Sequence, residues 1–257
     1  MSISIIMPAF KLEGIIFDNI LKVIKVVKEL TSSYEIIIID DGSPDNTYDA
    51  AIKASELDNR VIVLRHSENR GKGQAFITGY KHSRGDVIVL LDADLDIPPQ
   101  QMILLLKALE EADIAITDKW HPQSKILTTT KRRIVSRVFN LLTRILVGLK
   151  FRDTQTGCKA FRREALENII PLLTVKGYAF DVELLLAAKE QGYKVAEVPA
   201  YHTIKLKGEV NLKGTLSMLA DLLRIAYNHR VRKLYSIKKH NPSSTLKHTR
   251  SFNISGA

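Results

Sequence analysis

Residues 87–99 read Val87-Ile88-Val89-Leu90-Leu91-Asp92-Ala93-Asp94-Leu95-Asp96-Ile97-Pro98-Pro99: five apolar residues in succession, then acid. An apolar run of that length predicts a strand buried on both faces, as in a parallel sheet. Asp92 and Asp94 are two apart, so in extended chain their side chains point the same way. Two carboxylates just past the carboxyl end of a buried strand make a hard oxygen site for Mg²⁺ or Mn²⁺. That end of an open α/β sheet is also where ligands bind. Mg²⁺ typically takes one or two carboxylates and fills its shell with substrate phosphates, so the inferred partner is a nucleotide diphosphate. One of the acids, Asp94 or Asp96, serves as a helix cap with Pro98 or Pro99 in the first turn. Capping does not explain three acids in five positions.

The pattern repeats to the N-terminal side. Residues 2–7 read as a first strand closed by Pro8, and 14–30 as a helix with Ile16, Ile20, Val23, Ile24, Val27 and Leu30 at helical spacing. A buried strand over 35–39 runs into the turn-rich loop 40–47, followed by a helix over 46–56 and a strand over 61–65. A loop from His66 to Gly73 precedes a helix over 73–83. After the acidic residues come a helix over 99–111 and a strand over 113–117. Strand and helix thus alternate through residue 117, which predicts a parallel sheet with helices on both faces.

After residue 118 the alternation breaks. A loop over 118–128 is expected, then an amphipathic helix over 129–148 with Ile134, Val138, Leu141, Leu142, Ile145 and Leu146 on one side. A strand at 158–163, a short helix at 164–171, a loop running into a helix within 177–191, a strand at 193–198 and a long helix at 214–234 follow. From 236 on, the Ser, Lys, His and Asn content predicts a disordered basic tail.

Composition narrows the function. The 257 residues suit one large domain, or one with an appendage, and 45% hydrophobic content supplies a core. The single cysteine, Cys158, excludes an internal disulfide and a cysteine-cluster metal site, and fits a reducing cytosol. No signal peptide is expected, because Met1 leads straight into a strand-like run, and no window is apolar enough to span a membrane. The formal charge of +10 calls for an anionic partner. Twelve Lys or Arg and one acid, Asp153, lie between Lys119 and Arg163, beside a strong apolar stripe; Arg224, Arg230, Arg232 and Lys233 repeat the combination. Basic charge next to an apolar stripe reads as a helix on a membrane surface. Nucleic acid is not the expected partner: no aromatic-and-basic RNA motif or helix-turn-helix signature is present.

Three further groups carry chemistry. Asp40 and Asp41 stand at a strand's carboxyl end, where an acid accepts hydrogen bonds from a base or ribose. Asn69-Arg70-Gly71-Lys72-Gly73 offers flexible backbone and a cation to a diphosphate, without being a Walker loop. Asp181 and Glu183 open a helix facing different ways, so that one reaches the site and the other is structural.

Together these motifs resemble glycosyltransferase family 2, and within it the polyprenyl-phosphate (dolichyl-phosphate type) hexosyltransferases, over about residues 3–234. The resemblance rests on Pro8-Ala9-Phe10, Ile39-Asp40-Asp41-Gly42-Ser43, Asn69 to Gly73, Asp92-Ala93-Asp94-Leu95 with Pro98, Lys131-Arg132-Arg133-Ile134-Val135-Ser136-Arg137, Asp153-Thr154-Gln155-Thr156-Gly157-Cys158-Lys159 and Phe180-Asp181-Val182-Glu183-Leu184-Leu185. It implies a single α/β domain of the glycosyltransferase A type over 1–235: a nucleotide-sugar-binding half, 1–117, and an acceptor-binding half with interfacial helices, 118–235. The tail, 236–257, lies outside it. Pro8, Phe10 and Asp40, with Ala9 and Ala93 beside them, are expected to hold the donor. Asp92 and Asp94 serve Mg²⁺ or Mn²⁺, with Asp96 a third ligand. Arg132 and Ser136 match residues that bind the lipid phosphate, and Lys72 and Lys119 add charge. Asp94, Arg132 and Asp181 are the catalytic candidates, Asp181 as a base.

The expected reaction is inverting transfer of a hexose from a nucleotide sugar to a polyprenyl or dolichyl monophosphate, by an enzyme peripheral on the cytoplasmic face of a membrane. The alternative is transfer to a sugar hydroxyl, with Asp181 or Glu183 as base. Leu12 replaces an acid common in the family, and Thr117-Asp118-Lys119 stands where mannosyl members carry Gly-Ser-Arg. The 153–159 and 180–185 motifs look more like the glucosyl branch, which puts UDP-glucose ahead of GDP-mannose as donor.

Overall fold

The computed structural model describes residues 1–126, 130–202 and 212–236. Strands β1 (Ile3–Ala9), β2 (Tyr34–Asp40), β3 (Val61–Arg65) and β4 (Val87–Leu91) alternate with helices α1 (Ile16–Leu30), α2 (Thr47–Ser55) and α3 (Lys72–His82). Then come α4 (Gln101–Ala108), β5 (Ile114–Asp118), β6 (Lys125–Ile126), α5 (Thr130–Val147), β7 (Cys158–Arg162), α6 (Arg163–Ile169), α7 (Phe180–Glu190), β8 (Val195–Pro199), β9 (Tyr201–His202) and α8 (Leu212–Arg230).

Seven strands form one sheet in the order β3-β2-β1-β4-β7-β5-β8. Every pairing is parallel except those of β7, which runs antiparallel to both β4 and β5. All five β4 residues are buried. Val87, Val89 and Leu91 join the core layer that includes α1 and α4, and Ile88 and Leu90 join the layer that includes α3 and α7. The strand's period of two therefore divides an unbroken apolar run between two cores. Each such side chain contributes roughly 1.5–3 kcal/mol by leaving water.

The chain moves outward from β1 to β2 and β3, then returns to place β4 on the other side of β1. The crevice at such a reversal, at the carboxyl ends of the strands, is where an open α/β sheet binds ligands. Here it lies between Pro8–Phe10 and Asp92–Asp94. β1 pairs with β4 only from Ile3 to Ile6 but follows β2 to Ala9, so Pro8 falls where β4 no longer runs beside it.

The fold is the expected α/β one, with local differences. β1 ends two residues later than expected, and the 118–128 loop holds a short strand, β6, paired with β9. α8 ends at Arg230, and the chain folds back to bury Tyr235 completely. On α5 the buried face is Phe139, Thr143 and Val147, while Val138, Leu141 and Ile145 are exposed. The expected single stripe is thus split between core and surface. α5 packs on α8, which exposes Leu219, Leu223 and Tyr227. Among the described residues no helix is long and apolar enough to cross a membrane. The expected disordered tail beyond residue 236 lies outside the described residues.

Candidate active site

A cleft of about 350 Å³ opens at the reversal. The end of β1 gives it Pro8, Ala9, Phe10 and Leu12; the end of β2 gives Asp41; the start of α3 gives Asn69, Gly71 and Lys72. Asp92, Ala93 and Asp94 enter from the end of β4, Gly177 and Tyr178 from the loop before α7, and Ser217, Met218 and Asp221 from α8. Seven expected donor or metal residues, Pro8, Ala9, Phe10, Lys72, Asp92, Ala93 and Asp94, are therefore brought together.

Two charged clusters build the floor. In the first, Asp41 accepts hydrogen bonds from the backbone N–H groups of Arg70, at 2.9 Å, and Gly71, at 2.8 Å. Its Oδ1 also lies 2.7 Å from His66 Nδ1, and His66 Nε2 meets the Thr78 hydroxyl at 3.0 Å. The carbonyl of Lys176 accepts from Gly73, at 2.8 Å, and Gln74, at 3.3 Å. The amides of Arg70, Gly71, Gly73 and Gln74 are thus engaged within the protein. The expectation that this loop offers flexible backbone to a phosphate is corrected: it is pinned, and it presents Asn69, Gly71 and the Lys72 side chain to the cleft. Gly71 has φ +91°, and a Cβ there would lie 2.5 Å from the Lys176 carbonyl oxygen, so only glycine fits.

The second cluster is a chain of alternating charge. Lys72 Nζ lies 2.8 Å from Asp92 Oδ1 and 3.4 Å from Asp181 Oδ2. Asp181 Oδ1 accepts from Lys159 Nζ at 2.9 Å, and Lys159 also donates to the Thr156 carbonyl at 2.5 Å. Lys159 is fully buried and Asp181 nearly so. Burial opposes the charge on Lys72, but Asp181 and Asp92 outweigh it and raise the ammonium's pKa. Burial also works against the Asp181 carboxylate, yet Lys159 and Lys72 together hold its pKa below the usual value. A carboxylate so held is a weak proton acceptor, and it reaches the cleft only through Lys72. The arrangement suits Asp181 as a residue that positions Lys72 better than as the expected base. Burial raises the Asp92 carboxyl against the pull of Lys72, with Asp94 adding repulsion.

Asp92 and Asp94 are hard oxygen donors on one wall, and that donor set fits Mg²⁺ or Mn²⁺ completed by phosphate oxygens. Gly157 presses on the first of them: a Cβ there would lie 2.6 Å from Asp92 Oδ2. Asp96 as a third ligand is not supported. It is not among the cleft residues, and the left-handed Leu95, φ +52°, makes the turn in which Asp94 Oδ1 accepts the Asp96 N–H at 3.1 Å. Among the described residues no three Asp, Glu, His or Cys side chains gather as a metal cluster.

Asp40 also departs from expectation. It is fully buried, and Oδ2 lies 3.1 Å from Arg65 Nε. Its Oδ1 accepts from the Ser43 N–H at 3.2 Å, so it braces the 41–46 turn while Asp41 faces the cleft. Lys119 is 3.4 Å from Asp153, outside the cleft. Ser136 is half-buried on α5, and the side chain of Arg132 lies outside those described. Glu183 is structural: its carboxylate accepts from Thr174 N–H, Thr174 Oγ1, Val175 N–H and Tyr235 OH at 2.5–2.8 Å. Tyr178, Ser217, Met218 and Asp221 were not foreseen. Asp221 left one signal, being the only acid in an otherwise apolar and basic helix. Burial raises its carboxyl, with Arg224 opposing.

Comparison with known proteins agrees with this geometry. The model of the glycosyl transferase family 2 matches residues 4–170. An undecaprenyl-phosphate mannosyltransferase of Micrococcus luteus is 32% identical over 193 residues, 73% of this chain and 79% of that protein. A polyprenol monophosphomannose synthase of Mycolicibacterium smegmatis is 32% identical over 205 residues, 77% of each chain. In fold, the chain is similar to glucosyl-3-phosphoglycerate synthase from Mycobacterium tuberculosis, solved with Mn²⁺, UDP and glucosyl-3-phosphoglycerate. The TM-score is 0.67 at 20% identity, covering 88% of this chain and 80% of that one. The fold is therefore the glycosyltransferase A type, and the chain belongs to glycosyl transferase family 2 and is a glycosyltransferase.

Proposed function

We propose that the enzyme transfers a hexose, with inversion, from a nucleotide sugar to a polyprenyl monophosphate at a membrane surface, making a lipid-linked sugar. The observation that carries the reading is the cleft floor: one cation, Lys72, beside two carboxylates, with Asp181 tied to lysines on both sides. A phosphate acceptor is already an anion near neutral pH and needs no base to attack the anomeric carbon. The two relatives, named for acting on undecaprenyl phosphate and polyprenol monophosphate, support that acceptor.

The nucleoside lies against Pro8, Phe10 and Leu12, with Asp41 below it. Asp92 and Asp94 would hold Mg²⁺ or Mn²⁺ beside the donor diphosphate. A divalent ion there offsets charge on the leaving group. Lys72, held between Asp92 and Asp181, donates hydrogen bonds to the diphosphate as the bond from the anomeric carbon to its oxygen breaks. The acceptor phosphate approaches from the side of Lys119, Arg132 and Ser136. The exposed apolar residues of α5 and α8, flanked by Arg137, Arg144 and Arg224, rest on the bilayer. The relatives' names support a mannosyl donor. The motifs 153–159 and 180–185 support a glucosyl donor, and UDP-glucose is the second reading. Asp221, a carboxyl in the cleft with its pKa raised by burial, favours one further alternative, a hydroxyl acceptor with Asp221 as base.

The test is donor turnover by purified protein with Mn²⁺ or Mg²⁺ and a short polyprenyl phosphate, GDP-mannose and UDP-glucose run side by side. A chloroform-soluble labelled product is expected, absent with EDTA and in Asp94→Ala. Donor binding without a lipid product would refute the phosphate acceptor. Full turnover in EDTA would refute the metal.

A further inference from the structure

A second cavity, of about 520 Å³, lies apart from the donor cleft and shares no lining residue with it. Its walls are Trp120, Arg137, Asn140, Leu141, Arg144 and Arg152. Three guanidinium groups line one space. The charge of Arg152 is felt by the acids Asp118 and Glu197, and its backbone N–H donates to the Glu197 carboxylate at 2.9 Å. Arg137 and Arg144 have no such compensation: among the described residues neither has a carboxylate at ion-pair distance. The Arg137 guanidinium sits over the Trp120 ring, 5.1 Å from its centroid, and the indole Nε1 is buried with no hydrogen-bond acceptor among the described residues. Asn140 is buried and fixed by its bond to the Arg152 carbonyl at 2.9 Å. Planar guanidinium forks match the oxygens of a phosphate.

The rim is apolar. Leu141 lines the cavity and is 57% exposed, and Val138 and Ile145 stand exposed beside it on the same helix. A phosphate pocket whose lip is apolar suits an amphiphile. We propose that this cavity is a second anion site, which takes the phosphate of an anionic phospholipid headgroup while the acyl chains lie along Val138, Leu141 and Ile145. The assignment rests on the membrane-surface reading above and adds to it a specific lipid contact that orients the enzyme on the bilayer.

Trp120 is the only tryptophan in the chain, so its fluorescence reports this cavity directly. Monomeric dihexanoyl phosphatidylglycerol is titrated against the full chain, Arg144→Gln and, as a control on α1, Lys25→Gln. A saturable change is expected, at least about tenfold weaker in Arg144→Gln, as for loss of a hydrogen bond to a charged group, and unaltered in Lys25→Gln. No saturable change, or equal affinity in Arg144→Gln, would overturn the site. Inorganic phosphate binding as tightly as the lipid would overturn the headgroup assignment. Competition by farnesyl monophosphate would show the cavity to be part of the acceptor site instead. Flotation with phosphatidylglycerol vesicles separates the two readings. A saturable fluorescence response without flotation overturns the membrane reading and the lipid orientation, and leaves only an anion pocket.

Discussion

Replacing Asp181 with Asn tests the alternating charge chain. Asp181 is buried between Lys159, at 2.9 Å, and Lys72, at 3.4 Å. Lys72 keeps Asp92 at 2.8 Å after the change, but fully buried Lys159 keeps only the Thr156 carbonyl. Removing one partner of a buried ion pair costs about 3–5 kcal/mol. At ~2–4 °C per kcal/mol for a chain of this size, Tm falls by on the order of 10 °C. The sign of the pH dependence follows from Lys159. Burial already lowers its pKa, with Asp181 opposing that effect, so the variant lowers it further. Unfolded lysine titrates near ~10.4, so between the folded and unfolded values the unfolded chain binds more protons and stability rises with pH. The deficit of Asp181→Asn relative to wild type should therefore shrink as the pH rises from neutral toward the unfolded lysine value of ~10.4, followed by thermal unfolding in circular dichroism. Adding Lys159→Met should restore most of the loss at neutral pH. A variant within about 1 kcal/mol of wild type at neutral pH, with no convergence at high pH, would refute the account of Asp181 as a buried counter-ion.

Gly71→Ala should lose about 1–3 kcal/mol from its backbone conformation alone and raise the donor KM, because Lys72 is the next residue. Gly148→Ala, at φ +79° with nothing within 4 Å of its Cβ, should leave the donor KM unchanged, so an equal effect of both on binding would refute the pinned loop. Asp221→Asn should change kcat/KM less than about threefold if the acceptor is a phosphate, whereas loss of a general base costs roughly 10²–10⁴-fold. Tyr235→Phe removes a 2.5 Å hydrogen bond to the Glu183 carboxylate and should cost about 1.5–3 kcal/mol in urea unfolding. A change below about 0.5 kcal/mol would show that Tyr235 is held by packing alone.

The N-terminal half was legible because each apolar run there is long and ends in a chemically distinct residue. Val87–Leu91 followed by Asp92 fixed a strand, its burial and the site end of the sheet at once. What the sequence left open depends on direction or on side chains meeting across the chain. Residues 158–162 read as a strand, but nothing in Cys-Lys-Ala-Phe-Arg says that it enters antiparallel between β4 and β5. Asp40 and Asp41 are adjacent acids at one strand end, and only the pleat assigns Asp40 to Arg65 and Asp41 to the cleft. Asp181 looked like a base because its two lysine partners lie 109 and 22 residues away in sequence, at Lys72 and Lys159. Lys159 itself, a lysine with no exposed surface, gave no warning in sequence of its burial. The helix stripe of α5 was read as one face, yet Leu142 and Leu146 pack against the core while Val138, Leu141 and Ile145 face outward.

The loop before α7 ties the elements of the site together. Its Thr174 and Val175 amides are held by Glu183, which also holds Tyr235 from the end of the chain. Its Lys176 carbonyl pins Gly73 and Gln74 at the start of α3, and Gly177 and Tyr178 then line the cleft. One buried acid thus ties α7, the C-terminal turn and the Lys72 loop into a single unit, and Asp181, two residues earlier on the same helix, sets the position of the Lys72 ammonium. Preorganised charge of this kind is worth most where a leaving group gains charge and least where a proton must move. A floor built of fixed ion pairs, with its most buried carboxylate already committed to two lysines, suits departure of a nucleoside diphosphate as the hexose passes to an acceptor that arrives already ionised.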